Sequence, residues 1–191
     1  MPNTAYSASQ KRRRMEPTRA KARGSLGGIL SPDCNRGECI KNLLNVLCIF
    51  LVLLIDQVSK AIISSKLSLG QSIPIIKNVL HIASVRNTGA AFGLFKSSTY
   101  FFIAVSIAAI IIIGAMLIKS IRNKWLLNIG LILIMSGALG NLIDRVRLGY
   151  VIDFIDFRVW PVFNIADSAI TIGTILLIVS FLKRTPDVAH V

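Results

Sequence analysis

Acidic residues are scarce: the 191-residue chain holds nine Asp and Glu against 22 Lys and Arg. Charged side chains of both signs make up 16% of the sequence, where a soluble domain carries about 25%. Together with a hydrophobic content of 53%, that shortage argues against a soluble enzyme. Histidine is limited to His81 and His190, neither within a long apolar run. A helix-borne Ser–His protease is therefore disfavoured even though Ser136-Gly137 offers a hydroxyl, and metal ligation lacks imidazole or thiol partners near the carboxylates. Cys34, Cys39 and Cys48 are too few for a structural zinc site; free thiols are expected, with Cys48 an apolar filler of a helix. There is no internal repeat. At ~20 apolar residues per crossing, the length allows about four to six membrane spans, too few for a large transporter built from repeated halves.

What is abundant is positive charge, with a net +13 and a mean hydropathy of +0.66. In a soluble protein such a charge would point to nucleic acid; membrane proteins instead concentrate basic residues in their cytoplasmic segments, and no nucleic-acid partner is expected. Residues 1–41 carry nine basic and three acidic side chains with no apolar periodicity, and read as a disordered cytoplasmic tail. Within it, Lys11-Arg12-Arg13-Arg14 reads as a solvated anchor rather than a nucleic-acid or anionic-lipid patch.

Four apolar runs follow: 43–55 continuing through Asp56 to 63, then 101–118, 125–143 closed by Asp144, and 165–182. Their length and low charge meet the bilayer criterion, and in lipid a helix satisfies its own backbone. The expected fold is an all-α membrane protein with four transmembrane helices spanning a 42–184 domain, followed by a short cytoplasmic tail at 185–191. The basic tail, the 119–124 connection and the Lys183-Arg184 exit place both termini in the cytoplasm. Between the first two helices, Pro74, the β-branched stretch to Val85 and the glycine-rich segment 87–93 predict short strands and a turn, a small extracytoplasmic β element.

This topology gathers Asp56, Asp144, Asp153, Asp156 and Asp167 at the outer face. An ionisable group in the apolar zone is costly and by default functional, and two converging carboxylates share a proton and divide into acid and base. Each has a structural alternative as well. Asp56 precedes Lys60 at a spacing that suits an ion pair; Asp144 adjoins Arg145 and Arg147; Asp156 suits a solvated loop. Asp167 has no cation near it in sequence. Residue types alone leave its partner open among Asp144, Asp153 and Asp156. They also leave open a phosphatidyl-alcohol transferase, which would need metal, and a proton-coupled carrier, whose charges would lie toward the midplane.

Four blocks in order narrow the choice: Asp56-Gln57-Val58-Ser59-Lys60, Asn87-Thr88-Gly89-Ala90-Ala91-Phe92-Gly93, the pair Gly137-Ala138-Leu139-Gly140-Asn141-Leu142-Ile143-Asp144-Arg145 and Gly149-Tyr150-Val151-Ile152-Asp153-Phe154, and Phe163-Asn164-Ile165-Ala166-Asp167-Ser168. Over about residues 42–184 the chain resembles the signal peptidase II family, the lipoprotein signal peptidases. The resemblance implies a membrane aspartic endopeptidase of the bacterial cytoplasmic (inner) membrane that works among membrane lipids without a cofactor. It would cleave diacylglyceryl-modified prolipoproteins just before the lipidated cysteine, near the outer face. It further implies a catalytic dyad of Asp153 and Asp167. Asp144 would support them, its own catalytic assignment being the alternative. Asn87, Asn141, Arg145 and Asn164 would hold substrate or orient carboxylates, and Asp56 and Lys60 would be structural.

Overall fold

In a computed structural model of the chain, residues 36–89, 99–118 and 125–183 are described. The chain divides into two units, Met1–Cys39 and Ile40–Val191; of the first, the described residues are only the opening of a helix. Four helices occur, α1 (Arg36–Lys66), α2 (Thr99–Ile118), α3 (Trp125–Leu148) and α4 (Ile165–Leu182), with three strands, β1 (Ser72–Ile76), β2 (Leu80–Asn87) and β3 (Val151–Asp156). All four helices are long and apolar enough to cross a membrane.

Residues 36–41, expected in the tail, begin α1 instead, because a helix already propagating through 43–55 gains one backbone hydrogen bond for each residue added. α1 also runs on to Lys66, so Asp56 lies inside the helix and not at its end. α3 continues past Asp144 to Leu148. The rest of the tail, residues 90–93 of the glycine-rich block, the 119–124 connection and the 184–191 end lie outside the described residues. Cys48 is free and exposed; Cys39, expected as a free thiol, is disulfide-bonded.

α3 is the central helix. Its most apolar window is 56% buried, against 6–17% in the others, which instead present Leu43, Leu47, Phe50, Leu51, Ile111, Ile112, Ile175 and Ile178 outward. Such surfaces suit lipid, since a soluble monomer rarely exposes apolar patches of this extent. Leu127, Leu131 and Met135 of α3 pack with Ile113 of α2. On its other side α3 meets α4 through Gly130 and Gly173, each of which has the other's carbonyl oxygen within 2.6–2.8 Å of where a Cβ would stand. Association in lipid relies on this kind of close backbone approach. α1 is tied to α3 by a reciprocal amide pair, in which Asn128 Nδ2 donates to Asn45 Oδ1 at 2.9 Å.

The sheet has the order β1-β2-β3, antiparallel throughout. β1 and β2 lie where short strands are expected, whereas Asp153 and Asp156, placed by the sequence in the connection between the last two helices, stand in a strand. Val151-Ile152-Asp153-Phe154-Ile155-Asp156 alternates imperfectly and carries two charges, so the partner strand far away in sequence, not local pattern, makes it a strand. Gly149 turns the chain from α3 into β3 at φ +82, its N–H donating to Arg145 O at 3.0 Å; this left-handed helix ending suits glycine. The sheet joins the chain where α1 and α3 end and α4 begins, so it caps one end of the bundle.

Replacing Gly173 by Ala forces α3 and α4 apart and is expected to cost about 1–3 kcal/mol as overpacking. Thermal unfolding of the purified protein in detergent measures this; an unchanged midpoint would refute the close-packed seam.

Candidate functional site

The site lies where α3, β3 and the start of α4 meet. Asn164 is the N-cap of α4: its Oδ1 accepts from Asp167 N at 2.9 Å, and its own N–H donates to Asp167 Oδ2 at 3.3 Å. This reciprocal capping satisfies two otherwise orphaned N–H groups. It also locks the Asp167 side chain to the first turn of the helix. A third first-turn donor, Ala166 N, reaches across to Asp56 Oδ1 of α1 at 2.9 Å. Two carboxylates thus sit at the positive end of α4, where the helix dipole favours them.

Asp153 arrives from β3. Its strand partner is Val85, while Asn87 pairs with Val151, so the two-residue period of the strands puts Asn87 and Asp153 diagonally on one face. Asn87 Nδ2 donates to Asp153 Oδ2 at 2.9 Å, and Asn164 Nδ2 donates to Asp153 Oδ1 at 2.7 Å. Asp167 Oδ1 accepts from Asn141 Nδ2 of α3 at 2.7 Å. One residue, Asn164, therefore contacts both carboxylates, Asp153 by its side chain and Asp167 by its backbone. Asp153 is 1% exposed, whereas Asp167 keeps a partly open face. Burial pushes the Asp153 carboxyl up to about 7, and the charge of Asp167 adds to this; the hydrogen bonds from Asn87 and Asn164 and the charge of Lys60 oppose it.

Behind this pair lies a buried ion cluster. Lys60, 2% exposed, is 2.8 Å from Asp56 Oδ2 and 2.9 Å from Asp144 Oδ2, and donates to Asn141 Oδ1 at 3.2 Å. The i,i+4 pair expected from sequence is present and extends into a triad. Asp144 pairs with Lys60 rather than with its neighbours Arg145 and Arg147, because at the end of α3 it faces inward toward α1 and β3. It also accepts from Gln57 Nε2 at 3.0 Å and Ile152 N at 3.4 Å. Gln57 was not singled out in the sequence; its place within the Asp56–Lys60 block was the only signal.

Arg145 lies over the Phe102 ring, 5.1 Å from its centroid, and donates to Asn141 O at 3.4 Å. Asp156 is the residue not brought to the pair. It stands in β3 rather than in a loop and is bound by Arg158 through the backbone N–H at 2.7 Å and the guanidinium at 3.1 Å. Burial alone would raise its carboxyl; those two bonds outweigh it and hold the group below the ordinary carboxylate range. Ser136 is fully buried and donates to Ile132 O at 2.7 Å, a bond within α3 that leaves it no nucleophilic role.

Two carboxylates beside each other, one enclosed and holding a proton near neutrality and one open, can activate water and protonate a leaving group without a covalent intermediate. Replacing Asn164 by Ala removes the cap and a donor to Asp153, and is expected to cost about 1–2 kcal/mol from the cap alone. Asn87→Ala, which frees one oxygen of Asp153, should cost less. Equal shifts in detergent unfolding midpoints would contradict Asn164 as the junction.

Residues 48–183 match the family model described as Signal peptidase (SPase) II. The lipoprotein signal peptidase of Halothermothrix orenii is 45% identical over 130 residues, covering 68% of this chain and 89% of that protein. That of Staphylococcus aureus is 40% identical over 147 residues, covering 75% and 90%. Two solved structures described as bacterial membrane enzymes superpose with TM-scores of 0.71 and 0.69. Their identities are 38% and 40%, and the superpositions cover 78% and 74% of this chain and 93% and 94% of theirs.

Proposed function

The chain belongs to the signal peptidase II family, and we propose from that premise that Asp153 and Asp167 are the catalytic pair with which it removes signal peptides from prolipoproteins. The observation that carries this is the convergence of both carboxylates on Asn164. The substrates are prolipoproteins carrying a diacylglyceryl-modified cysteine, held in the membrane by their acyl chains. Asp167 lies in the first turn of α4, and α4 spans ~27 Å at 1.5 Å per residue. That height supports a scissile bond presented at an interface, with lipid chains alongside the helices. The positive-inside rule supports cytoplasmic termini and a site near the outer face.

In this reading Asp167, the more open carboxylate, takes a proton from a water whose oxygen attacks the carbonyl carbon preceding the cysteine. Asp153, protonated, donates its proton to the carbonyl oxygen, giving a tetrahedral diol. On collapse Asp167 gives its proton to the cysteine nitrogen as the C–N bond breaks, and Asp153 takes one from a diol hydroxyl, which restores both carboxyls; the signal peptide leaves as a carboxylic acid that ionises in water, and the lipidated cysteine keeps a free amine. Asn87, Asn141 and Asn164 hold the two carboxylates through this exchange. Arg145, which makes no direct ion pair among the described residues and is propped on Phe102, supports substrate backbone. Asp144, engaged by Lys60, Gln57 and Ile152, acts behind the pair and not on water.

Asp153→Asn and Asp167→Asn are each expected to abolish cleavage of a diacylglyceryl-modified precursor peptide while the protein stays in the membrane. Asp156→Asn should retain activity, and Asp144→Asn should lower it. Mass analysis of the products checks all four; normal cleavage by either of the first two would remove that residue from the pair. Because the acid must be protonated, loss of the Asp153 proton at about pH 7 should make kcat fall as pH rises beyond that value. A rate that keeps climbing through the alkaline range would contradict the assignment of Asp153 as the acid.

A further inference from the structure

Lys60 ties two layers together. Its ammonium is enclosed and touches three partners, Asp56 Oδ2 at 2.8 Å, Asp144 Oδ2 at 2.9 Å and Asn141 Oδ1 at 3.2 Å. Asn141 in turn is the side chain that donates to Asp167, at 2.7 Å. A carboxamide has two orientations of similar shape, with oxygen and nitrogen exchanged, and only its partners choose between them. At Asn141 the oxygen side faces two donors, the Lys60 ammonium and Asn164 Nδ2 at 3.2 Å. The nitrogen side faces a carboxylate oxygen that can only accept when ionised. Exchange would set an NH2 group against an ammonium and a second NH2, and a carbonyl against the Asp167 carboxylate.

We propose that Lys60 is a positioning residue for the catalytic pair: by holding the Asn141 oxygen, it keeps the Asn141 amide turned toward Asp167 and so fixes the carboxylate that activates water. This rests on the assignment of Asp153 and Asp167 given above, and it gives the buried ammonium a task beyond neutralising its two aspartates. Asp56 and Asp144 balance its charge, from α1 itself and from α3. Asn164, anchored by its own capping bonds, supplies the second, uncharged donor. The charged groups that bear on the pair from the surrounding elements are Asp56 and Lys60 of α1, Asp144 and Arg145 of α3, Asp153 of β3 and Asp167 of α4. The charge of Lys60 opposes the rise of Asp153. Its loss should therefore also carry the alkaline fall of kcat to higher pH, which a purely structural lysine would not do.

The test is a kinetic cycle on the purified full chain, with a diacylglyceryl-modified precursor peptide as substrate. Lys60→Met is expected to lower kcat by about tenfold or more, with KM changed by less than about threefold, and to move the alkaline limb upward. In an Asn141→Ala background the same substitution should add less than about threefold, because non-additivity marks residues that act through one another. Full multiplication of the two losses, or a kcat loss with an unmoved alkaline limb, would overturn the proposal. Should Lys60→Met fail to fold, Lys60→Met/Asp56→Asn is compared with Asp56→Asn alone. That pair removes one charge of each sign and keeps an oxygen for Ala166 N–H; the same two criteria decide. Failure of the underlying assignment is read separately: cleavage by Asp153→Asn or Asp167→Asn would sink the pair itself, whereas their inactivity beside a fully active Lys60→Met would sink only the role of Lys60.

Discussion

The site hangs on a single carboxamide. Asn164 ends the preceding extended chain, starts α4, closes a reciprocal cap with Asp167 and reaches Asp153 on β3. Helix start and candidate site are therefore the same local event: the geometry that satisfies the first N–H groups of α4 also sets where one carboxylate points. Elsewhere an N-cap contributes about 1 kcal/mol of stability and little else. Here the side-chain Nδ2, which the cap does not use, donates to Asp153 and links the membrane helix to the sheet.

A second constraint is the low dielectric around that junction. Water cannot solvate charges inside the bundle, so each buried ion must find partners from the protein. Asp56, Lys60 and Asp144 do so mutually, with Gln57 filling remaining positions on both aspartates. These contacts come from α1 and α3, the same two helices that Asn45 and Asn128 join further along. Between α3 and α4 glycine lets the backbones close along the middle of the helices, and the polar tie from Asn141 to Asp167 stands only at the end beside the sheet. The bundle thus combines a polar seam, which sets register, with a small-residue seam, which sets spacing.

Much of this was legible in the sequence, for identifiable reasons. The apolar run 165–182, ended by Lys183 and Arg184, coincides with α4 because its length and low charge suit a membrane helix. α2 was placed to within two residues. The gathering of acidic residues toward one end followed from topology alone. The identity of the pair did not: choosing Asp153 over Asp144 and Asp156 needed the family resemblance, because β3 is a strand only by virtue of β2, which lies more than sixty residues earlier. Asp144 looked like a partner of its neighbouring arginines, yet helix geometry turns it inward to Lys60. Gln57 carried no signal of its own, since neutral amides do not stand out by charge or hydropathy.

The order of contributions along the chain has a consequence for biosynthesis. Asn87, Asn141 and Asp153 precede Asn164 and Asp167, which stand on the final helix. Translation proceeds from the N-terminus, so a nascent chain carrying α1 to α3 and even the complete sheet holds one carboxylate of the proposed pair, Asp153, and lacks the Asn164 side chain that donates to it. With Asp153 and Asp167 as the proposed pair, proteolytic competence would arrive only when the last span is made and docked against α3. On that assignment a chain truncated before α4 would be inert and would add no stray hydrolase to the membrane.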